Sequence, residues 1–163
     1  FKLFNQKFYD EERSYGAKAD ILRYEILDRF GGLYLDVDFV LLRPIDFLHH
    51  IYEFYTSMMP CVAPDTMANG IIACKPGHPI IHQCVLNIVN YRHEYHILDR
   101  TGPFYFQNVF HETVKTIPHD KIIAFPETYW LPLSYNQRYF DNEGVASQLR
   151  NETFAVHYWS NSW

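Results

Sequence analysis

Two carboxylates stand two residues apart inside an apolar run: Asp36 and Asp38, in GGLYLDVDFVLLRP, residues 31–44. Aspartate is a poor strand former, and a buried unpaired carboxylate is costly. In a strand, residues i and i+2 share a face, so the pair would project together, about 7 Å apart. Two like charges so close raise each other's proton affinity unless a cation sits with them. Oxygen ligands of this type suit Mg²⁺ or Mn²⁺, which keep coordination positions open for a diphosphate. D-x-D is short, and the same spacing also suits a strand end with two solvated aspartates. The apolar residues on both sides, Leu33 to Leu35 and Phe39 to Leu42, weigh against solvation.

The element before the pair would position it. Residues 14–30, SYGAKADILRYEILDRF, read as a helix that Ser14 can cap. Ala19, Leu22, Ile26 and Phe30 recur at spacings of three and four and form an expected apolar stripe. Gly31-Gly32 ends the helix. Asp20 and Arg23 are three apart, as in an ordinary i,i+3 surface ion pair.

Downstream, 45–55 reads as a short amphipathic helix, CVAPD as a strand end, GIIAC as a strand and KPGHP as a turn. Residues 79–96 read as a second helix with Pro79 in its first turn, 104–117 as a third, and KIIAFP as a strand. The remainder is loop-rich and closes on a strand and an aromatic tail. FKLFN has room for one short strand ahead of the first helix. Helices alternate with short apolar strands, which argues for a layered α/β domain over residues 1–163.

Composition narrows the function. The 163 residues are 48% hydrophobic and 18% aromatic, enough for one domain with a core and against global disorder. The net charge is −5 and no basic run occurs, which argues against nucleic acid as the main partner. No apolar run approaches the roughly 20 residues of a membrane span. Cys61, Cys74 and Cys84 give neither a disulfide framework nor a zinc spacing, and read as buried thiols. His93 and His96 lack the i,i+4 spacing of a zinc helix, and His49-His50 has no evident partner.

The block AKADILRYEILDRFGGLYLDVDFVLLRPID, residues 17–46, resembles the DXD-containing glycosyltransferase sugar-binding family, a family-32 type. This family embraces α-1,6-mannosyl- and α-1,4-galactosyltransferases and, more distantly, the large clostridial glucosylating toxins. The likeness continues in NGIIACKPGHP (69–79), TGP (101–103) and HYWSNSW (157–163), so it covers most of the chain. It implies a GT-A-like nucleotide-sugar-binding domain with a mixed central sheet. It also implies metal-dependent, retaining transfer of a hexose from a nucleoside-diphosphate sugar to a glycan or glycolipid acceptor. Mn²⁺ or Mg²⁺ would be the cofactor. By the resemblance, Asp38 binds the metal, Asp36 meets the ribose or donor sugar and a metal-bound water, and Asp20 and Arg23 contact the donor sugar. His157 is an expected late metal ligand, where a packed histidine is the plainer alternative. Asn161 and Ser162 can offer oxygens to metal or diphosphate, and Trp163 its indole N–H or ring. Asn69 suits a sugar hydroxyl, and Gly70 allows close backbone approach.

Relatives of this kind carry several tens of residues ahead of the first helix, holding base and ribose. The expectation is therefore an N-terminally truncated domain, with a non-catalytic metal- and nucleotide-sugar-binding module as the alternative function. Peripheral membrane association is left open, in the cytoplasm for a bacterial parent or the Golgi lumen for a eukaryotic one.

Overall fold

The protein is seen in a computed structural model that describes residues 2–59 and 65–160. Four strands form the main sheet: β1 (Gly32–Leu35), β3 (Phe54–Met58), β4 (Met67–Cys74) and β5 (Ile122–Phe125), in the order β1-β4-β3-β5. β1 and β3 run antiparallel to β4, whereas β3 and β5 are parallel, so the sheet is mixed. Strand period decides which side chain enters which layer. Tyr34, Phe54, Ile72 and Cys74 pack on one side, with Ile21, Tyr24 and Leu27 of helix α2 (Tyr15–Phe30). The same layer takes Ile80, Ile81 and Cys84 of α4 (Pro79–Asn87) and Tyr105 and Phe106 of α6 (Pro103–Val114). Leu33, Leu35, Tyr55, Ile71 and Ala73 face the other way, onto Leu48 of α3 (Asp46–Ile51), Trp130 of α7 (Glu127–Trp130) and Phe154. With both faces covered, β3 and β4 are buried along nearly their whole length, the polar Thr56, Ser57 and Asn69 included.

A second, two-stranded sheet pairs β2 (Phe39–Leu41) antiparallel to β6 (Ala155–His157), with Phe39 opposite His157. The remaining helices are α1 (Gln6–Glu11), α5 (Ile97–Arg100) and α8 (Asn142–Gln148).

Several expectations change. The acidic segment is not one strand: the chain leaves the main sheet after Leu35, turns through Asp36–Asp38 and joins the second sheet at Phe39. FKLFN is not a strand in its described part but leads into α1. The stripe expected on α2 is its outer face, with Phe30 61% exposed, while the buried face carries Ala17, Asp20, Ile21, Arg23, Tyr24 and Leu27. Helix α3 stops at Ile51, because Phe54 and Tyr55 enter β3. The second helix ends at Asn87, followed by a 3₁₀ turn over Ile88–Tyr91. The CVAPD strand end falls outside the described residues except for Asp65. Ser14 does cap α2, accepting from the Ala17 N–H, and Gly31 ends it at φ 63°.

Candidate functional site: an aspartate–histidine cluster at a cavity mouth

The D-x-D turn gains its shape from its neighbours. The Asp36 N–H donates to the Gly70 carbonyl at 2.9 Å, tying the turn to β4, and the Phe39 N–H closes it onto the Asp36 carbonyl at 3.1 Å. Val37 is left 91% exposed between the two carboxylates. A Cβ on Gly70 would collide with the Asp36 carboxylate, so only glycine lets strand and carboxylate come this close.

Asp36 is held from behind. Its Oδ1 accepts from the Tyr34 hydroxyl at 2.8 Å and from Arg23 Nη2 at 3.2 Å. The Arg23 guanidinium lies over the Tyr34 ring, 4.3 Å from its centre, donates Nη1 to the Asn69 carbonyl, and pairs with Asp20 at 3.1 Å. Asp20 in turn accepts from Asn69 Nδ2 at 2.9 Å and from the Thr101 hydroxyl at 2.8 Å. Burial pushes the Asp20 carboxyl up to about 6, against the lowering effect of Arg23 and these hydrogen bonds. Arg23 is only 2% exposed and Asp20 is buried, and neither lines the cavity in front of the turn. In this arrangement they are neither a surface ion pair nor open to a sugar, and they reach the cavity through Asp36 and Asn69.

Asp38 is held from the C-terminal side. Its Oδ1 faces His157 Nε2 at 2.9 Å, and its Oδ2 accepts from the Ser160 N–H at 2.8 Å and the Ser160 hydroxyl at 3.1 Å. Burial works against ionisation, but the Ser160 hydrogen bonds and His157 outweigh it and hold the carboxyl below its ordinary value. Burial lowers His157 in turn, only partly offset by Asp38 and Asp36, so the ring favours its neutral form. It stacks on Phe39 at 4.5 Å, and its buried Nδ1 has no partner among the described residues.

One ligand atom from each of Asp36, Asp38 and His157 lies within 4.8 Å of the others. Two carboxylates and a neutral imidazole fit a hard or borderline divalent cation such as Mn²⁺ or Mg²⁺. The cluster stands at a cavity of about 390 Å³, walled by Asn69, Gly70, Leu98, Leu131, Tyr135 and Trp159 among others. Asn69 is buried, its amide nitrogen turned to Asp20 and the Tyr24 hydroxyl. Asn161, Ser162 and Trp163 lie outside the described residues. Residues not foreseen are Tyr34, Thr101, Ser160 and Trp159. Tyr34 and Thr101 sit within the motifs GGLYLDVD and TGP, a signal that was available. Cys74 and Cys84 are buried free thiols, with Cys74 pushed up to about 12 by burial.

A mixed sheet that delivers a D-x-D turn to a cavity mouth defines a GT-A-like architecture. It is shared with a solved structure, the PaToxG glycosyltransferase, at a TM-score of 0.55 and 22% identity over 67% of this chain and 40% of that one. Residues 3–55 match the glycosyltransferase sugar-binding region containing DXD motif, and this region of the chain belongs to that family. Inositol phosphoceramide mannosyltransferase 3 of Schizosaccharomyces pombe is 30% identical over 122 residues, 69% of this chain and 33% of its own length. The uncharacterized glycosyltransferase L373 of Acanthamoeba polyphaga mimivirus is 30% identical over 135 residues, 81% and 53% of the two chains. Lactosylceramide 4-alpha-galactosyltransferase of Rattus norvegicus is 24% identical over 152 residues, 87% and 40%. The chain thus spans between a third and about half the length of these relatives. No helix among the described residues is long and apolar enough to cross a membrane.

Proposed function

We propose that this chain is the catalytic part of a metal-dependent, retaining glycosyltransferase that moves a hexose from a nucleoside-diphosphate sugar to a glycan or lipid-linked acceptor. The observation that carries this reading is the convergence of Asp36, Asp38 and His157 at one cavity mouth. These three residues would hold Mn²⁺ or Mg²⁺, and a bound ion supplies charge neutralisation for a departing diphosphate. The relatives named for inositol phosphoceramide and lactosylceramide support a lipid-linked acceptor.

The chain's own groups divide the remaining work. Arg23 and Tyr34 fix the Asp36 carboxylate and keep it aimed at the mouth. The Asn69 side-chain oxygen has no protein partner among the described residues and can accept from a sugar hydroxyl. The Trp159 ring lines the cavity while its indole N–H is spent on the Leu133 carbonyl, so it offers a stacking face rather than a donor. Among the described residues, the only carboxylates lining the cavity are Asp36 and Asp38. With both engaged, the acceptor proton would leave on the face of the departing diphosphate, as retention without a protein nucleophile requires.

Calorimetric titration of Mn²⁺ together with UDP or GDP tests the reading, with Asp38→Ala beside the wild type. Metal-dependent nucleotide binding that weakens at least about tenfold in the variant is expected. Binding without turnover of UDP- or GDP-hexoses would mark a non-catalytic module instead. Absence of binding by the folded wild-type chain would overturn the proposal.

A further inference from the structure

A second concave surface lies apart from the donor cavity, between α4 with its 3₁₀ extension and α6. It encloses about 680 Å³ and shares no lining residue with the aspartate–histidine cavity. Amides are the largest group in its polar lining, with Gln83 and Asn87 from α4, Asn90 from the 3₁₀ turn and Asn108 from α6, beside the hydroxyls of Thr113 and Thr116. We infer that this groove is a binding site for a neutral oligosaccharide.

The chemistry of the lining argues for that class. A carboxamide presents donor and acceptor in one plane, which matches the mixed donor and acceptor character of vicinal hydroxyls. Asn87 Nδ2 donates to both the Gln83 carbonyl and Gln83 Oε1 at 3.0 Å. The Asn87 oxygen and the Gln83 amide nitrogen are left without a protein partner among the described residues. The side chains of Asn90 and Asn108 have no protein hydrogen bond there either, and nor does the Tyr91 hydroxyl. Tyr91 is wedged edge-to-face on the buried Tyr105 at 4.8 Å, a fixed aromatic element among the amides. Among the described residues no lysine or arginine lines the groove, and its charged members are Glu94 and Glu112. Lys115 holds Glu112 ionised through a 2.8 Å bridge. An anionic ligand would meet repulsion there, while Pro79, Val109, Ile117 and the Tyr91 ring offer apolar surface to the C–H face of a sugar ring. The volume falls within the range of small-ligand sites. Since every polar group is solvated when the groove is empty, affinity should be modest, with Kd on the order of millimolar.

The inference goes beyond the transferase reading and stands without it. The test is an NMR titration of the ¹⁵N-labelled chain, in the absence of metal and nucleotide, with α-1,6-mannotriose, maltotriose and cellotriose. Saturable shifts are expected in the side-chain amides of Gln83, Asn90 and Asn108 and the backbone amide of Tyr91, for at least one sugar. The double variant N90A/N108A changes two exposed side chains and should weaken that binding at least about tenfold, by loss of two hydrogen-bonding groups. The proposal is overturned if none of the three sugars shifts these amides at ~20 mM, well above a millimolar Kd. Shifts confined to Asn69, Gly70 and Leu98, or shifts that the double variant leaves unchanged, also overturn it. With neither metal nor nucleotide present, these outcomes leave the transferase reading untouched, and its failure leaves them untouched.

Discussion

At the scale of single residues, the site is a set of carboxylates whose freedom has been removed. Asp36 has Arg23 and Tyr34 behind it, and Asp38 has His157 and Ser160. Tyr34 is the most informative to change, because its ring also supports the Arg23 guanidinium. Tyr34→Phe keeps the ring and deletes only the hydroxyl that donates to Asp36. Mn²⁺ affinity measured by calorimetry should fall about tenfold, the usual cost of losing an outer-shell partner, with thermal stability lowered by only about 1 kcal/mol. Unchanged affinity would mean that Arg23 alone orients the carboxylate. The pair Asp36 and Asp38 was legible from residue type and spacing. The reason given for it was not: the two carboxylates do not share a strand face but converge through a turn, with Val37 thrown outward. Spacing singled out the two carboxylates, while the local backbone that gathers them depends on Gly70 of a different strand.

At the scale of elements, α2 shows how far an apolar pattern can mislead. Its buried face holds Asp20, Arg23 and Glu25 beside Ile21, Tyr24 and Leu27, so a search for apolar spacing selects the outer stripe instead. Those three charges face inward because each finds partners that no local pattern records. Glu25 accepts from the backbone N–H groups of Phe4 and Asn5 at 2.8 and 2.7 Å, and from the Asn5 side chain at 3.0 Å. It thereby fastens the segment that leads into α1, while Asn5 reaches on to the Val85 carbonyl of α4. Glu25→Ala should release the first residues and cost about 2–4 kcal/mol in urea unfolding, from one charged acceptor serving three donors. Hydrogen exchange at Phe4 and Asn5 should rise sharply. Metal affinity should hold, since Glu25 touches nothing at the cavity; a parallel loss of metal binding would show that α2 transmits the change to Asp20 and Arg23. The helix limits themselves were readable from Ser14 and Gly31, whose effects are local.

At the scale of the whole molecule, the site exists only because distant segments meet. β6 pairs with β2 across more than a hundred residues and brings His157 to Asp38, and the loop at Thr101 reaches Asp20 on the first long helix. Non-local pairing of this kind leaves no periodicity, so His157 was legible only through its motif, and Thr101, although inside TGP, gave no sign of its link to Asp20. The network leaves a signature in global stability. Asp20 has a folded pKa of about 6 against an ordinary 3.8, so the folded chain retains its proton where the unfolded chain has released it. Stability from this group is fully present below about 3.8 and is lost as pH rises through about 6, the reverse of a salt-bridged carboxylate with a lowered pKa. The difference corresponds to about 3 kcal/mol. Asp20→Asn removes the titration whatever else it does to the baseline. Urea unfolding at pH 4, 5, 6 and 7 should therefore show wild-type stability falling relative to the variant by up to about 1.4 kcal/mol per pH unit between 4 and 6. Parallel curves would mean that Arg23, Asn69 and Thr101 keep Asp20 ionised throughout, so that Arg23 and Asp20 form a permanent ion pair and the Thr101 hydroxyl donates to a permanent carboxylate.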